Sequence, residues 1–182
     1  MIEISYAAMV TAISFLWILT RYLCFRRRCS FSFKRELQLM PVYICIIVVV
    51  RFTFCPFGTV DGNIQPLLFD PHSILPIRLN LIPFANLMDY EILREAKLNL
   101  IGNISMFIPI GIIWPILFKE LNTPSKVMAA GIGFSLCIEI LQLPFFDRVT
   151  DIDDLILNSL GYLMGYLICL FSKLVKQKIQ GV

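Results

Sequence analysis

The chain has 182 residues, 58% of them hydrophobic and only 16% charged, with a mean hydropathy of +0.77. A soluble domain is about half apolar and about a quarter charged, so the composition argues against a soluble domain and for a single-domain polytopic helical membrane protein. The net charge is only +3; its uneven placement speaks to topology, and no nucleic-acid partner is expected.

Five stretches reach the roughly 20 residues that span a bilayer: 6–25, 37–54, 98–118, 126–143 and 155–174. The predicted fold class is therefore all-α, a membrane bundle of about five helices. The first stretch is preceded by no basic region and followed by no small-x-small site, so a cleavable signal peptide is not expected. Arg21 lies close enough to the end of its span to snorkel. Orientation follows from Lys and Arg in the loops. Arg26, Arg27, Arg28, Lys34, Arg35, Lys119, Lys126, Lys173, Lys176 and Lys178 fall on one side; Arg78, Arg94, Lys97 and Arg148 fall on the other. The N-terminus is expected outside and the C-terminus in the cytoplasm.

The second span carries Arg51 about one turn inside its outer end, with Glu139 or an aspartate as its expected partner. The connection after it, 56–97, holds Pro56, Pro66, Pro71, Pro76 and Pro83, which disfavour a continuous helix, and apolar patches at 67–69 and 79–84. It is expected to lie on the interface or cap the bundle, with a short helix over 86–97. His72, the single histidine, reads as a surface loop residue, and a His-rich metal site is not expected. Cys24, Cys29, Cys45, Cys137 and Cys169 fall in or beside spans without metal-ligand spacing; Cys55 sits near the outer face without an evident partner.

In the third span Asn99 and Asn103, four apart, share a face, and Pro109 and Pro115 predict a kink. In the fourth, Gly131, Ser135, Glu139 and Gln142 form one stripe, its small residues permitting close helix approach. A lone carboxylate at Glu139 needs a partner or a proton. In the fifth, Asp151, Asp154, Asn158, Gly161 and Gly165 form a second stripe. Helix capping by Thr150 or Asp151 accounts for one of the three carboxylates in 151–154 and leaves two over.

Arg51, Asn99, Asn103, Glu139, Gln142, Arg148, Asp151, Asp153, Asp154 and Asn158 thus converge at one depth near one membrane face. Ionisable groups inside membrane segments are costly unless paired and mark a site by default. Arg51 and Arg148 have the fork geometry for phosphate or carboxylate. Glu139, Asp151 and Asp154 are the candidates for a general base. The three aspartates could hold a divalent cation, but no spacing is diagnostic and no metal or cofactor is assigned.

The stretches LNLIPF at 79–84, NLIGNISMFIPIGIIWP at 99–115, SLCIEILQL at 135–143 and RVTDIDDLILNSLGYLMGY at 148–166 together resemble the VanZ-like family of bacterial membrane proteins. The resemblance covers roughly 40–170. It implies a polytopic protein of Gram-positive-type bacteria, in a family whose named member is associated with low-level resistance to teicoplanin-type glycopeptides. The motif residues it carries over are Asn99, Asn103, Glu139, Gln142, Arg148, Asp151, Asp154 and Asn158. The expected organisation is a span and basic loop over 1–36, the VanZ-like membrane domain over 37–175 and a basic tail over 176–182. Three functions remain open. The first is binding or modification of an envelope lipid or glycolipid head group. The second is a lipid-phosphate transferase or phosphatase with a carboxylate base. The third is a small transporter or assembly partner. The expected partners are membrane lipids; oligomeric state is undetermined.

Overall fold

A computed structural model describes residues 1–28, 31–55, 59–60, 62–75, 79–83, 93–146 and 148–180. Among the described residues, five α-helices carry the chain: α1 Tyr6–Arg28, α2 Phe33–Phe54, α3 Leu93–Leu117, α4 Pro124–Gln142 and α5 Ile152–Gln180. All five are long and apolar enough to cross a membrane. The shortest, α4, has 19 residues and is about 29 Å long at 1.5 Å per residue, close to the hydrocarbon thickness. Leu16, Ile18, Ile101, Leu141, Leu167 and Phe171 are among the many large apolar side chains left exposed, as expected of a surface that faces lipid rather than water.

The helix starts have local causes. Ser32 caps α2, its side chain accepting from the Arg35 N–H, so α2 begins at Phe33 rather than 37 and Glu36 lies within the helix. Thr123 caps α4 with Pro124 in the first turn, where the missing N–H costs nothing. α3 runs as one continuous helix through Pro109 and Pro115.

The all-α expectation omitted short strands, six among the described residues. β1 (Ile2–Ile4) pairs antiparallel with β4 (Leu67–Phe69). β2 (Thr59–Val60) and β3 (Asn63–Ile64) form a hairpin around Gly62, at φ +77°. β5 (Leu79–Asn80) pairs in parallel with β6 (Thr150–Asp151). The Asp70 N–H donates to the Pro144 carbonyl at 2.8 Å and the Phe146 N–H to the Leu68 carbonyl at 2.9 Å. The connection between α2 and α3 is thus stitched to the N-terminus and to the α4–α5 turn. Leu67 inserts into the core beside Phe54, and Phe145 packs edge-on against Phe54 and Phe69. The described parts of this connection carry extended backbone, β2 to β5. His72 is exposed, on a short 3-10 turn, Pro71–Ile74, capped by Asp70. The helix anticipated over 86–97 is described from Leu93; residues 84–92, with Cys29, Arg78 and Asp147, lie outside the described residues.

The tightest packing is between α3 and α5. A methyl group on Gly161 would collide with the backbone carbonyl of Ile104, one on Gly165 with that of Ile108, and one on Gly111 with that of Tyr162. The two backbones touch, and residue numbers rise together along the seam, so the helices run in the same direction. α4 runs the opposite way against α5: Gly131 faces the Tyr162 ring, and Ser135 faces Asn158. Phe107, Ile110 and Tyr162 fill the centre, all fully buried.

Gly161→Ala and Gly165→Ala are each expected to destabilise the purified protein by about 1–3 kcal/mol, because a backbone carbonyl cannot yield as a flexible side chain can. Gly133→Ala, where an added methyl meets nothing within 4 Å, is expected to be neutral or slightly stabilising. Thermal unfolding in detergent checks the contrast; equal effects at the three positions would refute the seam.

Candidate functional site

The α3–α5 seam sets the register of the polar groups above it. Asn99 and Asn103 project from α3 toward the first turn of α5. The Asn99 Nδ2 donates to Asp154 Oδ1 at 3.1 Å, and the Asn103 Nδ2 donates both to that same oxygen and to Asn99 Oδ1. Asn103 is buried, whereas Asn99 is exposed, so the trio runs from surface to interior. Two amide donors on one carboxylate oxygen supply what the apolar surroundings withhold. Asp154 also lies in the first turn of α5, where the unsatisfied N–H groups favour negative charge.

α4 contributes Glu139, only 2% exposed. Its Oε2 accepts the Asp151 N–H at 3.3 Å, and its backbone carbonyl accepts the Thr150 hydroxyl at 3.2 Å. Asp151 and Asp154 are its acidic neighbours. One turn below Asp154, the Asn158 Nδ2 donates to Ser135 Oγ at 3.1 Å. The Asn158 Oδ1 is buried without a hydrogen-bond partner, and so is the Tyr162 hydroxyl one turn further down. Asp154, Asn158 and Tyr162 recur every four residues on one face of α5, a polar column about 12 Å long.

The remaining residues anticipated for the site serve its frame. Asp151 is the N-cap of α5: its Oδ1 accepts the Asp153 N–H at 2.9 Å, and its Oδ2 accepts the Asn80 Nδ2 at 3.0 Å. The Gln142 Nε2 donates to the Thr53 carbonyl at 2.6 Å. The Arg148 Nε and Nη2 both donate to the Phe54 carbonyl, at 3.0 and 2.6 Å. Gln142 and Arg148 therefore satisfy the last carbonyls of α2, which have no partner within the helix. For Arg51 the expected partner was Glu139 or an aspartate. Its guanidinium lies 5.9 Å from the Tyr6 ring centroid and 5.5 Å from that of Phe52, while Glu139 receives the Asp151 N–H. Cys55, beside Arg51 and Arg148, is a free thiol; burial pushes its pKa up and the two positive charges draw it back.

Of the anticipated residues, the structure gathers Asn99, Asn103, Glu139, Asp154 and Asn158, with Ser135, around one polar column. It places Gln142, Arg148 and Asp151 at the ends of helices. Among the described residues, no group of three or more His, Cys, Asp and Glu is arranged to hold a metal ion. Sequence reasoning missed Asn80, although it stands in the family-resembling stretch at 79–84, and Tyr162, whose hydroxyl is hidden in an apolar run.

The chain matches the VanZ/LLP1 family over residues 41–174, which contains every anticipated site residue, and it belongs to that family. It is 35% identical over 87 residues to Protein VanZ of Enterococcus faecium, covering 48% of this chain and 49% of that protein. The chain thus matches about half the length of this curated relative. No solved structure matches it.

Asp151→Ala removes both the cap of α5 and the link to Asn80, and is expected to cost about 1–2 kcal/mol. Asn80→Ala removes the link, together with the local hydrogen bond from the Ile82 N–H at 3.3 Å, and leaves the cap of α5 in place. Both variants are expected to be cut faster than wild type between α2 and α3 in limited proteolysis, with only Asp151→Ala also lowering thermal stability appreciably. An unchanged cleavage rate in both would show that the Asp151–Asn80 contact does not hold this connection down.

Proposed function

We propose that this VanZ-family membrane protein binds or modifies the head group of an envelope lipid or glycolipid at the polar column formed by α3, α4 and α5. The observation that carries the reading is the Asn99–Asn103–Asp154 network at one end of an apolar bundle, with Glu139 and the unpartnered Asn158 Oδ1 beneath it. Buried polar groups in native proteins find partners. An acceptor left over beside two carboxylates, in a bundle otherwise packed with apolar side chains, suits a ligand that brings hydrogen-bond donors. The exposed Asn99 is the approach; Asp154, Glu139 and Asn158 lie below it.

The orientation belongs to the same proposal. Lys and Arg concentrate in the α1–α2 and α3–α4 connections and after α5, which favours a cytoplasmic location for that end. The column would then face outward at head-group depth, under the connection between α2 and α3 as a cap. A contribution to teicoplanin-type resistance fits this placement, since a drug or precursor anchored in the outer leaflet presents its head group there.

Recognition is favoured over phosphate transfer because of where the donors are used. The Arg148 fork is engaged by the Phe54 carbonyl, and both Asp151 oxygens are hydrogen-bonded. Glu139 and Asp154 remain as the carboxylates available to a ligand.

Native mass spectrometry with lipidomics on gently purified protein tests the reading. An envelope lipid is expected to be enriched in wild type and lost in Glu139→Gln and Asp154→Asn, with both variants expressed normally in the membrane. Retention of the same lipid by both variants would reject the site. Orientation is checked separately in a cysteine-free background. Thr59→Cys is expected to be labelled from outside intact cells and Thr123→Cys to be protected; the opposite pattern would invert the topology.

A further inference from the structure

A cavity lies at the other end of the molecule, between the second half of α1 and the first half of α2. It has a volume of about 830 Å³, and Phe118 and Glu120, beyond the end of α3, also line it. α1 meets α2 there through a spaced ladder of contacts. The Ser14 and Tyr43 hydroxyls lie 2.7 Å apart, the Trp17 and Tyr43 rings pack at 5.5 Å, and the Arg21 Nε and Nη2 donate to the two Glu36 oxygens at 2.7 and 2.6 Å. The ion pair matters to the chemistry of the groove. It neutralises Glu36 with a guanidinium fork, and so removes the one acidic group at the middle of the groove that would repel an anion.

Arg35 stands beside it. One Nη2 hydrogen bond to the Leu117 carbonyl at 3.0 Å secures it against the end of α3, which leaves most of its five donors. Arg26 and Arg27, at the end of α1, and Lys34, at the start of α2, are exposed nearby. Against these cations stands Glu120, also exposed. The walls are apolar and reach the lipid-facing surface through Ile18 and Met40, both largely exposed. An apolar slot that opens sideways from the bundle, with a cationic rim at one end, matches one kind of molecule: a diacyl phospholipid with an anionic head group.

We propose that this groove is a binding site for one anionic phospholipid, its acyl chain lying between Ile18 and Met40 and its phosphate on Arg35. Such a lipid completes the contact between α1 and the rest of the bundle. The site is independent of the polar column, lies at the opposite end of the helices and uses none of its residues. Attraction to the rim follows the general preference of basic segments at a membrane surface for anionic lipid; selectivity beyond that comes from the slot.

The test is native mass spectrometry and thermal stability of the full chain, delipidated and then given phosphatidylglycerol or phosphatidylcholine. One phosphatidylglycerol per chain is expected to be retained and to raise the unfolding temperature, with phosphatidylcholine retained about tenfold less. Arg35→Gln is expected to weaken phosphatidylglycerol retention about tenfold. Ile18→Trp and Met40→Trp, at exposed positions that tolerate bulk, are expected to fill the slot and abolish retention while the protein stays folded. Equal retention of the two lipids would overturn head-group recognition, leaving annular lipid only. Undiminished phosphatidylglycerol binding in both tryptophan variants would place the lipid elsewhere. If Arg35→Gln does not fold, the tryptophan pair and the lipid comparison decide the matter without it.

Discussion

Contact between the backbones of α3 and α5 is the constraint on which the polar end depends. Helices packed through ordinary side chains sit about 8–10 Å apart. At Gly111, Gly161 and Gly165 no Cβ intervenes, and each glycine rests against a carbonyl of the facing helix. This fixes distance and register together. One and two turns above Gly161 stand Asn158 and Asp154, and the same register brings Asn99 and Asn103 of α3 to within hydrogen-bonding reach of the Asp154 carboxylate. A wider seam would leave a carboxylate in an apolar bundle without its donors, at the cost that attends an uncompensated buried charge. The glycines far from the surface and the amides near it are therefore parts of one device.

A second division of labour follows from the ends of the helices. Every helix that stops inside a bundle leaves carbonyls or N–H groups that water cannot reach. Here α2 ends against Gln142 and Arg148, and α5 begins on Asp151. Asp151 in turn holds Asn80, and with it the strand pairing of β5 and β6. A polar cluster that reads as one constellation is thus two. One set closes helix ends and fastens the cap. The other, Asn99, Asn103, Glu139, Asp154 and Asn158, surrounds the column. Helix termini demand the first set wherever they are buried; the second joins α3, α4 and α5 side by side through Asp154, the Glu139–Asp151 contact and the Asn158–Ser135 pair.

The spans, the two stripes on α4 and α5 and the convergence of their polar residues were legible because each rests on helical periodicity, which a sequence displays directly. The strands were not. Each has two or three residues, too few for an alternation to be seen, and each exists only because of a partner far along the chain, as Ile2 does opposite Phe69. Arg21 was read as a snorkelling side chain because the second span was started at 37. The Ser32 cap draws Glu36 into the helix and gives Arg21 a carboxylate instead. Arg148 was read as a fork for phosphate or carboxylate because that geometry is visible in its chemistry, whereas the Phe54 carbonyl that its Nε and Nη2 meet is visible only in the fold. Tyr162 escaped notice because a tyrosine in an apolar run looks like packing, and its ring does pack, against Gly131 and edge-on to Trp114.

The hydroxyl at the end of that ring turns the column into more than a surface patch. Asn158 spends its amide nitrogen on Ser135 and keeps its oxygen unpaired; Tyr162 keeps its hydroxyl unpaired one turn below. An unsatisfied buried polar group costs about 1–3 kcal/mol, and two on one helix face are a standing demand for a partner. Water can answer it where there is room, and a donor-bearing head group entering past Asn99 and Asp154 can answer it at Asn158. On the proposed reading, the gain on binding would come from satisfying an acceptor that the fold has already desolvated, so the ligand need not displace an existing protein hydrogen bond. On the same reading the Asn158 Oδ1 calls for a hydroxyl or amine donor, while the Tyr162 hydroxyl and the second amide N–H of Asn99 can still donate to an oxygen of the same head group.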